Sequence, residues 1–410
     1  MAVGRIAGIL QSKSRRYWLT AALVLAATVA LTPWVNEHLN LNSLRYKFFQ
    51  VMGTYAARQL ESRYIKVVAV TNDDYIHDEP QGSSPINRHY LARIVDALRQ
   101  ANVQLIALDF NLHIKDPSVT AVSVGDFSHI VNKQQVDTLV RAVIEAADND
   151  IKVVLPKNIA IEPYRLVPDI YQPYGICTKL VADGRWDNPG SAGFAISPKA
   201  ARNIACGYIQ LPYDERQVPP MLDVGEKGRI DSLSLAIARA KDPRAAAAVG
   251  TATKFVTYLP ASETESIPAG KLLKADPDVL DTLRHNAVVV GGMWLSSDGL
   301  GLVDVHDAVT GPISGVLIHE NFAEGILDGR QVAPLPEWVL IAVEIAAGIV
   351  FALLFAAVAD AWIKLVLLVA ISVILFAAQW LIFALFGTFF EAFLPLLGLS
   401  LHSIVEKLLE

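Results

Sequence analysis

Polar and acidic side chains recur in this chain where short apolar runs stop. Asp73 and Asp74 follow Val67-Val68-Ala69-Val70. Asp109 and Asn111 follow Ile106-Ala107-Leu108, and Lys157 follows Val153-Val154-Leu155. Ser296, Ser297 and Asp298 come soon after Val288-Val289-Val290, and Asp304-Val305-His306-Asp307 and His319-Glu320 lie further on. In open α/β sheets, ligands favour the carboxyl ends of the strands, so these groups could line one cleft. A carboxylate-rich cleft would suit a cation, an amine or a sugar. Asp109, His113, Asp304, His306 and His319 are of the right types to hold a metal. Their spacing matches no diagnostic metal pattern, and no metal or cofactor is expected. The simpler reading carries more weight: aspartates at strand ends satisfy turn backbones and cap helices, and a histidine near a helix start is more often a structural hydrogen-bonder than a ligand.

Motifs for nucleophilic or metal-assisted catalysis are missing. The chain has no G-x-S-x-G elbow, no HExxH and no P-loop. An enzyme is therefore not expected; the rival is a membrane enzyme using Asp109 and Asp304. The net charge of −6 excludes the basic field that nucleic-acid binders carry. Two cysteines, Cys177 and Cys206, fit no zinc pattern. In an extracytoplasmic domain they could form a disulfide; two buried free thiols are the alternative.

The elements that must position these residues read as α/β. Tyr64–Val70 is a short β-branched run that suits a buried strand. Asn87 can cap the following helix, in which Leu91, Ile94, Val95 and Leu98 share one face. Val103–Leu108 is a second strand, which completes a βαβ unit with parallel strands and a right-handed crossover. A helix over Asp137–Ala147 and a strand over Ile151–Leu155 add a second unit. Residues 160–230, rich in Pro, Gly and Tyr, read as an insertion with an antiparallel element. A helix over Ser232–Arg239, strands near Lys254–Leu259 and at Ala287–Val290, and a helix over Leu317–Leu327 ended by Gly329 follow.

The two ends are different. The chain is 53% hydrophobic and 19% charged, with a mean hydropathy of +0.36, and the apolar excess sits at its termini. Tyr17–Trp34 is long enough for one span, flanked by interfacial aromatics. Arg5, Lys13, Arg15 and Arg16 precede it, which places residues 1–16 in the cytoplasm. A cleaved export signal is the rival, since Ser14–Leu19 is similar to a twin-arginine signal; an uncleaved anchor is preferred. Three further spans are expected at 338–358, 365–386 and 389–405, with 406–410 as a cytoplasmic tail. Residues 35–337 then form one extracytoplasmic domain. Glu344 lies inside the second span, where an acid serves helix packing or, less commonly, an ion path.

Five segments in order resemble the second class of CHASE domains, extracellular sensor modules associated with cyclases and histidine kinases. Val67–Tyr75 is similar to the family's apolar strand ending in acids, and Pro85-Ile86-Asn87-Arg88 to its Pro-x-Pro-Arg turn. Ile106–Phe110 is similar to its apolar-Asp-aromatic strand end. Val288–Gly292 with Gly299–Asp304 is the fourth match. Gly315–Asn321 is similar to its Pro-Gly-Val-x-x-His-Ala-Asn helix start. Asn87 stands for the turn's second proline, Glu320 for the alanine after the histidine, and Asp307–Thr310 does not match the family's Thr-Pro turn. The family's architecture, one span, the sensor and three spans, also resembles this chain. The resemblance implies sensing of an unidentified extracytoplasmic signal and supplies no catalytic residues. Candidate ligand-binding residues are Asp73, Asp74, Arg88, Asp109, Asp304 and His319.

The expectation is an α/β extracytoplasmic sensor domain with a mainly parallel sheet and a middle insertion, held by one N-terminal and three C-terminal transmembrane helices in a bacterial inner membrane. Family members usually continue into a cytoplasmic output domain, so the signal is expected to pass to a separate protein partner. The alternative is a structural or assembly subunit of a larger envelope complex. An unidentified extracytoplasmic ligand and a homodimer complete the expected partners.

Overall fold

The computed structural model describes residues 15–38, 62–77, 86–112, 133–157, 159–162, 165–171, 176–186, 193–211, 219–223, 228–250, 255–256, 266–294, 304–308, 311–329, 331–332, 336–358, 360–386 and 398. The chain divides into two compact units, Gly53–Gln331 and Met1–Met52 with Val332–Glu410.

The first unit is built on six parallel strands: β1 (Ile65–Thr71), β2 (Leu105–Asp109), β3 (Lys152–Lys157), β4 (Ile204–Tyr208), β5 (Ser266–Pro268) and β6 (Ala287–Met293). Their order is β5-β1-β6-β2-β3-β4. The central strands are apolar on both faces because both are covered, as parallel sheets require. Val67, Val289, Ala107 and Val154 stand in one row across four strands, and Val68, Val290 and Leu108 in the next row on the opposite face. Helices α3 (Arg88–Gln100), α4 (Lys133–Asp148), α5 (Ile176–Asp183) and α6 (Pro198–Asn203) belong to the second row's face. Helices α7 (Leu233–Lys241) and α9 (Gly315–Leu327) cover the first. Between β5 and β6, α8 (Ala269–Leu273) returns to the first-mentioned helical layer. The choice of face follows from handedness. A right-handed crossover that steps one way along a sheet uses one face, and one that steps back uses the other. The chain steps from β1 to β4 in one direction and returns to β5 by way of α7.

Local signals act as the sequence implies. Asn87 Oδ1 accepts from His89 N at 2.8 Å, and Leu91, Ile94, Val95 and Leu98 are buried. Ser232 Oγ caps α7 through Leu235 N. Gly329, at φ +66°, adopts the left-handed conformation after α9. Three expectations need correction. The insertion does contain antiparallel pairs, Ile159–Glu162 with Arg165–Tyr171 among them, yet β4, inside the same stretch, belongs to the main sheet. Of the strand read near Lys254–Leu259 the described residues hold Phe255–Val256, which pairs with Gln331–Val332 outside that sheet; the edge position is filled by β5. Helix α9 begins at Gly315, two residues before the expected start at Leu317. Cys177 on α5 and Cys206 on β4 form a disulfide with Cα atoms 5.9 Å apart, which resolves the open alternative toward the bridge.

The second unit packs α1 (Arg15–His38), α10 (Glu337–Ala357) and α11 (Ala361–Phe386) around Ala21, Phe351, Ala352 and Ile371. A Cβ on Gly348 would collide with the Leu25 side chain, so this glycine sets the approach of α10 to α1. Asp360 Oδ1 caps α11 through Trp362 N and Ile363 N at 2.8 and 3.1 Å. Large apolar side chains such as Leu23, Val366 and Val373 face outward. Among the described residues one helix is long and apolar enough to cross a membrane, over the 21 residues Trp362–Ile382. The apolar stretches Trp18–Ala27 and Ile341–Leu354 are shorter. The run 389–405 lies outside the described residues, and Glu344 falls on α10 with its side chain outside them.

Candidate functional site at the carboxyl end of the sheet

Strand β6 lies between β1 and β2, but the chain leaves it differently. From β1 and β2 it goes to helices on one face; from β6 it goes through the hairpin β7 (Val305–Ala308) and β8 (Gly311–Ser314) to α9 on the other. Adjacent strands whose connections diverge in this way open a crevice at their carboxyl ends. The candidate residues divide between its two sides.

On the α9 side, strand alternation puts Asp109 in line with buried Leu105 and Ala107. Its side chain is 7% exposed and lies 3.9 Å from His319 Nε2. The fully buried His319 is fixed from two more directions. Nε2 is 3.0 Å from the Ile209 carbonyl, and Nδ1 is 3.2 Å from Ser234 Oγ on α7. A carbonyl can only accept, so Nε2 carries the proton and Nδ1 accepts from the serine. Burial holds the His319 imidazole down at about 4, against the opposing pulls of the Ile209 carbonyl and Asp304. Burial, with the charge of Asp304, pushes the Asp109 carboxyl well above the usual carboxylate range, and His306 offsets this only in part.

Asp304 starts the hairpin in the left-handed region, at φ 59°, a conformation Asp tolerates better than most residues. Its carbonyl accepts from Gly315 N at 2.9 Å. Its carboxylate occupies the space a side chain at Gly315 would need, at the first residue of α9, where the helix dipole favours an anion. Burial would raise the Asp304 carboxyl; the 2.8 Å hydrogen bond and charge of His306, with a pull from His319, outweigh it and hold it low. The two carboxyls are thus driven apart, Asp109 toward the protonated form and Asp304 toward the anion. Such a group can respond to a charge placed beside it. Among the described residues no three His, Cys, Asp or Glu side chains are arranged to hold a metal ion; His113, Ser296, Ser297 and Asp298 lie outside them.

On the α3 side stand Arg88 and an aromatic stack. Tyr75 and Trp294 lie parallel with ring centroids 4.4 Å apart, and Phe110 follows at 6.4 Å from Trp294. These three rings come from the chain just after β1, β6 and β2. Arg88 is 2% exposed, and its Nη2 donates to the Asn111 carbonyl at 2.6 Å. Burial lowers its guanidinium to about 10.

The structure therefore brings Asp109, Asp304 and His319 together, adds His306 and Ser234, and sets Arg88 across the sheet from them. Asp73 and Asp74 do not join them. Asp73 is exposed on α2 (Asn72–His77). Asp74 is buried; its Oδ2 accepts from Thr71 N and Oγ1 at 2.8 and 2.7 Å, and its Oδ1 from Gly270 N at 2.8 Å. Sequence reasoning missed Ser234 and Trp294, which are remote in sequence and carry no motif, and it did not single out Tyr75, which closes the first of the five matched segments. It also missed Glu324, a buried acid near the far end of α9 whose Oε1 accepts from Ser62 Oγ, Tyr64 N and Ile65 N at 2.9, 2.7 and 2.7 Å. The available signal was a second acid on the buried helix, one turn after Glu320.

A family model described as CHASE2 domain matches residues 20–359. No curated protein and no solved structure matches the chain.

Proposed function

Since this chain belongs to the CHASE2 domain family, a family of extracellular sensory domains, we propose that it is a signal-input protein of a bacterial inner membrane. One N-terminal and three C-terminal spans hold it, the sheet domain lies in the periplasm or outside, and a separate cytoplasmic protein reads its state. The observation that carries this reading is the course of α9. The helix starts under Asp304, holds His319 in the acid–imidazole group, and about 7 Å further along at a 1.5 Å rise presents Glu324 to the start of β1. A change at the carboxyl end of the sheet can thus displace, through one rigid element, both the segment that arrives from α1 and the segment that leads to α10. A ligand does this only to the extent that it binds two arrangements of the domain with different affinity.

Other features favour the same reading. The disulfide suits an oxidising compartment. The basic residues before α1 suit a cytoplasmic N-terminus. The outward apolar side chains of α1, α10 and α11 suit lipid.

The test is purification of the full chain from its native membrane in mild detergent, with mass spectrometry of everything that travels with it. A substoichiometric cytoplasmic kinase, cyclase or regulator is the expected result. A fixed-ratio set of envelope proteins would replace the sensor with an assembly subunit.

A further inference from the structure

We propose that Arg88 anchors a small ligand through an oxyanion, a carboxylate or a phosphate, while the ligand's apolar body lies against the Tyr75–Trp294–Phe110 stack. This deepens the sensory reading and rests on it, because it names the chemical class of the signal.

The argument starts from an imbalance. A guanidinium carries five N–H donors in a rigid fork, and a buried charge is ordinarily paired. Arg88 is almost wholly buried, yet among the described residues it makes one hydrogen bond, to a neutral backbone carbonyl. Among the described residues its Nη1 is buried with no hydrogen-bond partner, and burial, with no charge of a described residue beside it, is what shifts the group. The nearby carboxylates are committed elsewhere. Asp74 is held by Thr71 and Gly270. Asp109 points to the opposite face, toward His319.

The place of this unpaired cation matters as much as its burial. Its other nitrogen reaches the carbonyl of Asn111, just beyond the end of β2, so the guanidinium stands at the crevice where β6 sends its chain to the opposite face. It is the first residue of the 13-residue helix α3, whose positive end favours an anion in the same region. Asn111 is exposed, and Tyr75 and Trp294 are half-buried, so solvent reaches the rim. A planar fork with an unused donor is the group that recognises carboxylate and phosphate oxygens best. Half-buried stacked rings offer the apolar wall that small-molecule sites combine with a few polar anchors.

The experiment uses the full chain in lipid nanodiscs, in a chloride buffer at neutral pH. Sodium benzoate, inorganic phosphate, glucose and benzylamine are titrated by calorimetry and by thermal unfolding. The expected result is binding of at least one of the two anions, with benzoate ahead of phosphate if the ring stack contributes, and no binding of glucose or benzylamine. Arg88→Lys weakens the anion at least about tenfold, since it loses the planar fork. Arg88→Met abolishes anion binding and, without anion, melts no lower than the wild type, because it removes a buried charge that has no partner. The proposal is overturned if neither anion binds, if Arg88→Met binds the anion as the wild type does, or if Arg88→Met melts lower and the anions leave the wild type unchanged. Binding of glucose or benzylamine that survives Arg88→Met would overturn the anion class and leave the sensory reading standing. An envelope complex of fixed ratio in the purification would remove the sensory reading whatever the anions do.

Discussion

Replacing Glu324 by alanine tests whether the end of α9 is a clamp on the incoming strand. Glu324 Oε1 accepts from the Tyr64 and Ile65 amides, both at 2.7 Å. Ser62 Oγ also lies 2.9 Å away, but its single proton is shared with the Ile65 carbonyl at 2.5 Å. Two amide bonds to a charged acceptor are therefore the firm part, each contributing about 1.5–3 kcal/mol. In Glu324→Ala the Ile65 amide, on a residue 1% exposed, is left without a partner, and Tyr64 recovers some water. Against this, Oε2 has no hydrogen-bond partner in the native state, and removing it relieves a desolvation penalty. The net expectation is a loss of roughly 3–5 kcal/mol. At about 2 °C per kcal/mol for a domain of this size, the melting temperature falls by roughly 6–10 °C. Glu324→Gln keeps a neutral acceptor and loses about half as much. The assay is thermal unfolding of the full chain at one fixed scan rate, with hydrogen exchange at Tyr64 and Ile65 as the local readout. An alanine variant that melts with the wild type and leaves those two amides protected would refute the clamp. The transmission path proposed through α9 would go with it.

Acid sensitivity gives a second check. His319 is held at about 4 by burial, against an ordinary value near 6.5, so between those two values the unfolded chain binds a proton that the native state does not. Stability from this group is full above pH 6.5 and is lost as the pH falls toward 4, by up to about 3 kcal/mol. Asp109 acts with the opposite sign: its raised carboxyl keeps a proton that the unfolded chain releases above the ordinary aspartate value of about 3.9, so its contribution declines as the pH rises from there. Stability measured from pH 4 to 8 should therefore lose its acid limb in His319→Gln and show a steeper one in Asp109→Asn; equal slopes in all three proteins would contradict the assignment. The Cys177–Cys206 bridge closes a loop of 29 residues, and Cys206→Ser should lower stability by about 3–4 kcal/mol on the loop-entropy account, read as a shift in denaturant midpoint that reducing agent reproduces in the wild type. A Cβ at Gly207 would sit 2.5 Å from Leu233 Cα and 2.7 Å from its N. That is α7 backbone and cannot rotate aside, so Gly207→Ala should destabilise by about 1–3 kcal/mol, toward the upper end, and an unchanged midpoint would mean that α7 can step away from β4.

What the sequence made legible was whatever local periodicity writes. The buried runs of β1, β2, β3 and β6, the apolar stripe of α3 and the cap at Asn87 depend on neighbours within a few residues, and they stand where the sequence places them. Strand β4 was hidden because Ile204-Ala205-Cys206-Gly207-Tyr208 has only five residues, two of them small, inside a Pro- and Gly-rich region. Its membership of the sheet is decided by β3, fifty residues away, and by the disulfide. Strand β5, at Ser266-Ile267-Pro268, carries a proline that reads as a loop; an edge strand tolerates it because one side has no ladder to complete. The site follows the same division. That Asp109 ends a strand and His319 opens a helix is local information. That the two meet, with Ser234 between α7 and α9, depends on the order in which the strands assemble.

The distribution of polar groups along the sheet argues for a mechanical reading of the fold. The apolar rows through Val67, Val289 and Ala107, and through Val68, Val290 and Leu108, are uninterrupted. Buried polar groups gather instead at the two ends: Asp109, His319 and Arg88 at the carboxyl ends of the strands, and Glu324 where β1 begins. An apolar residue in place of a buried charge is often as stable or more so, so stability alone does not account for Arg88 or Asp109. At the Glu324 end the charge is answered by backbone amides, and the contact is strong. At the other end no carboxylate of the described residues pairs with Arg88, and Asp109 is driven toward its neutral form. A domain held tightly where its chain arrives and left electrostatically incomplete where its crevice opens has one region whose arrangement an added charge can change. Helix α9 and strand β1 carry that change to the opposite end without requiring the apolar rows between them to rearrange.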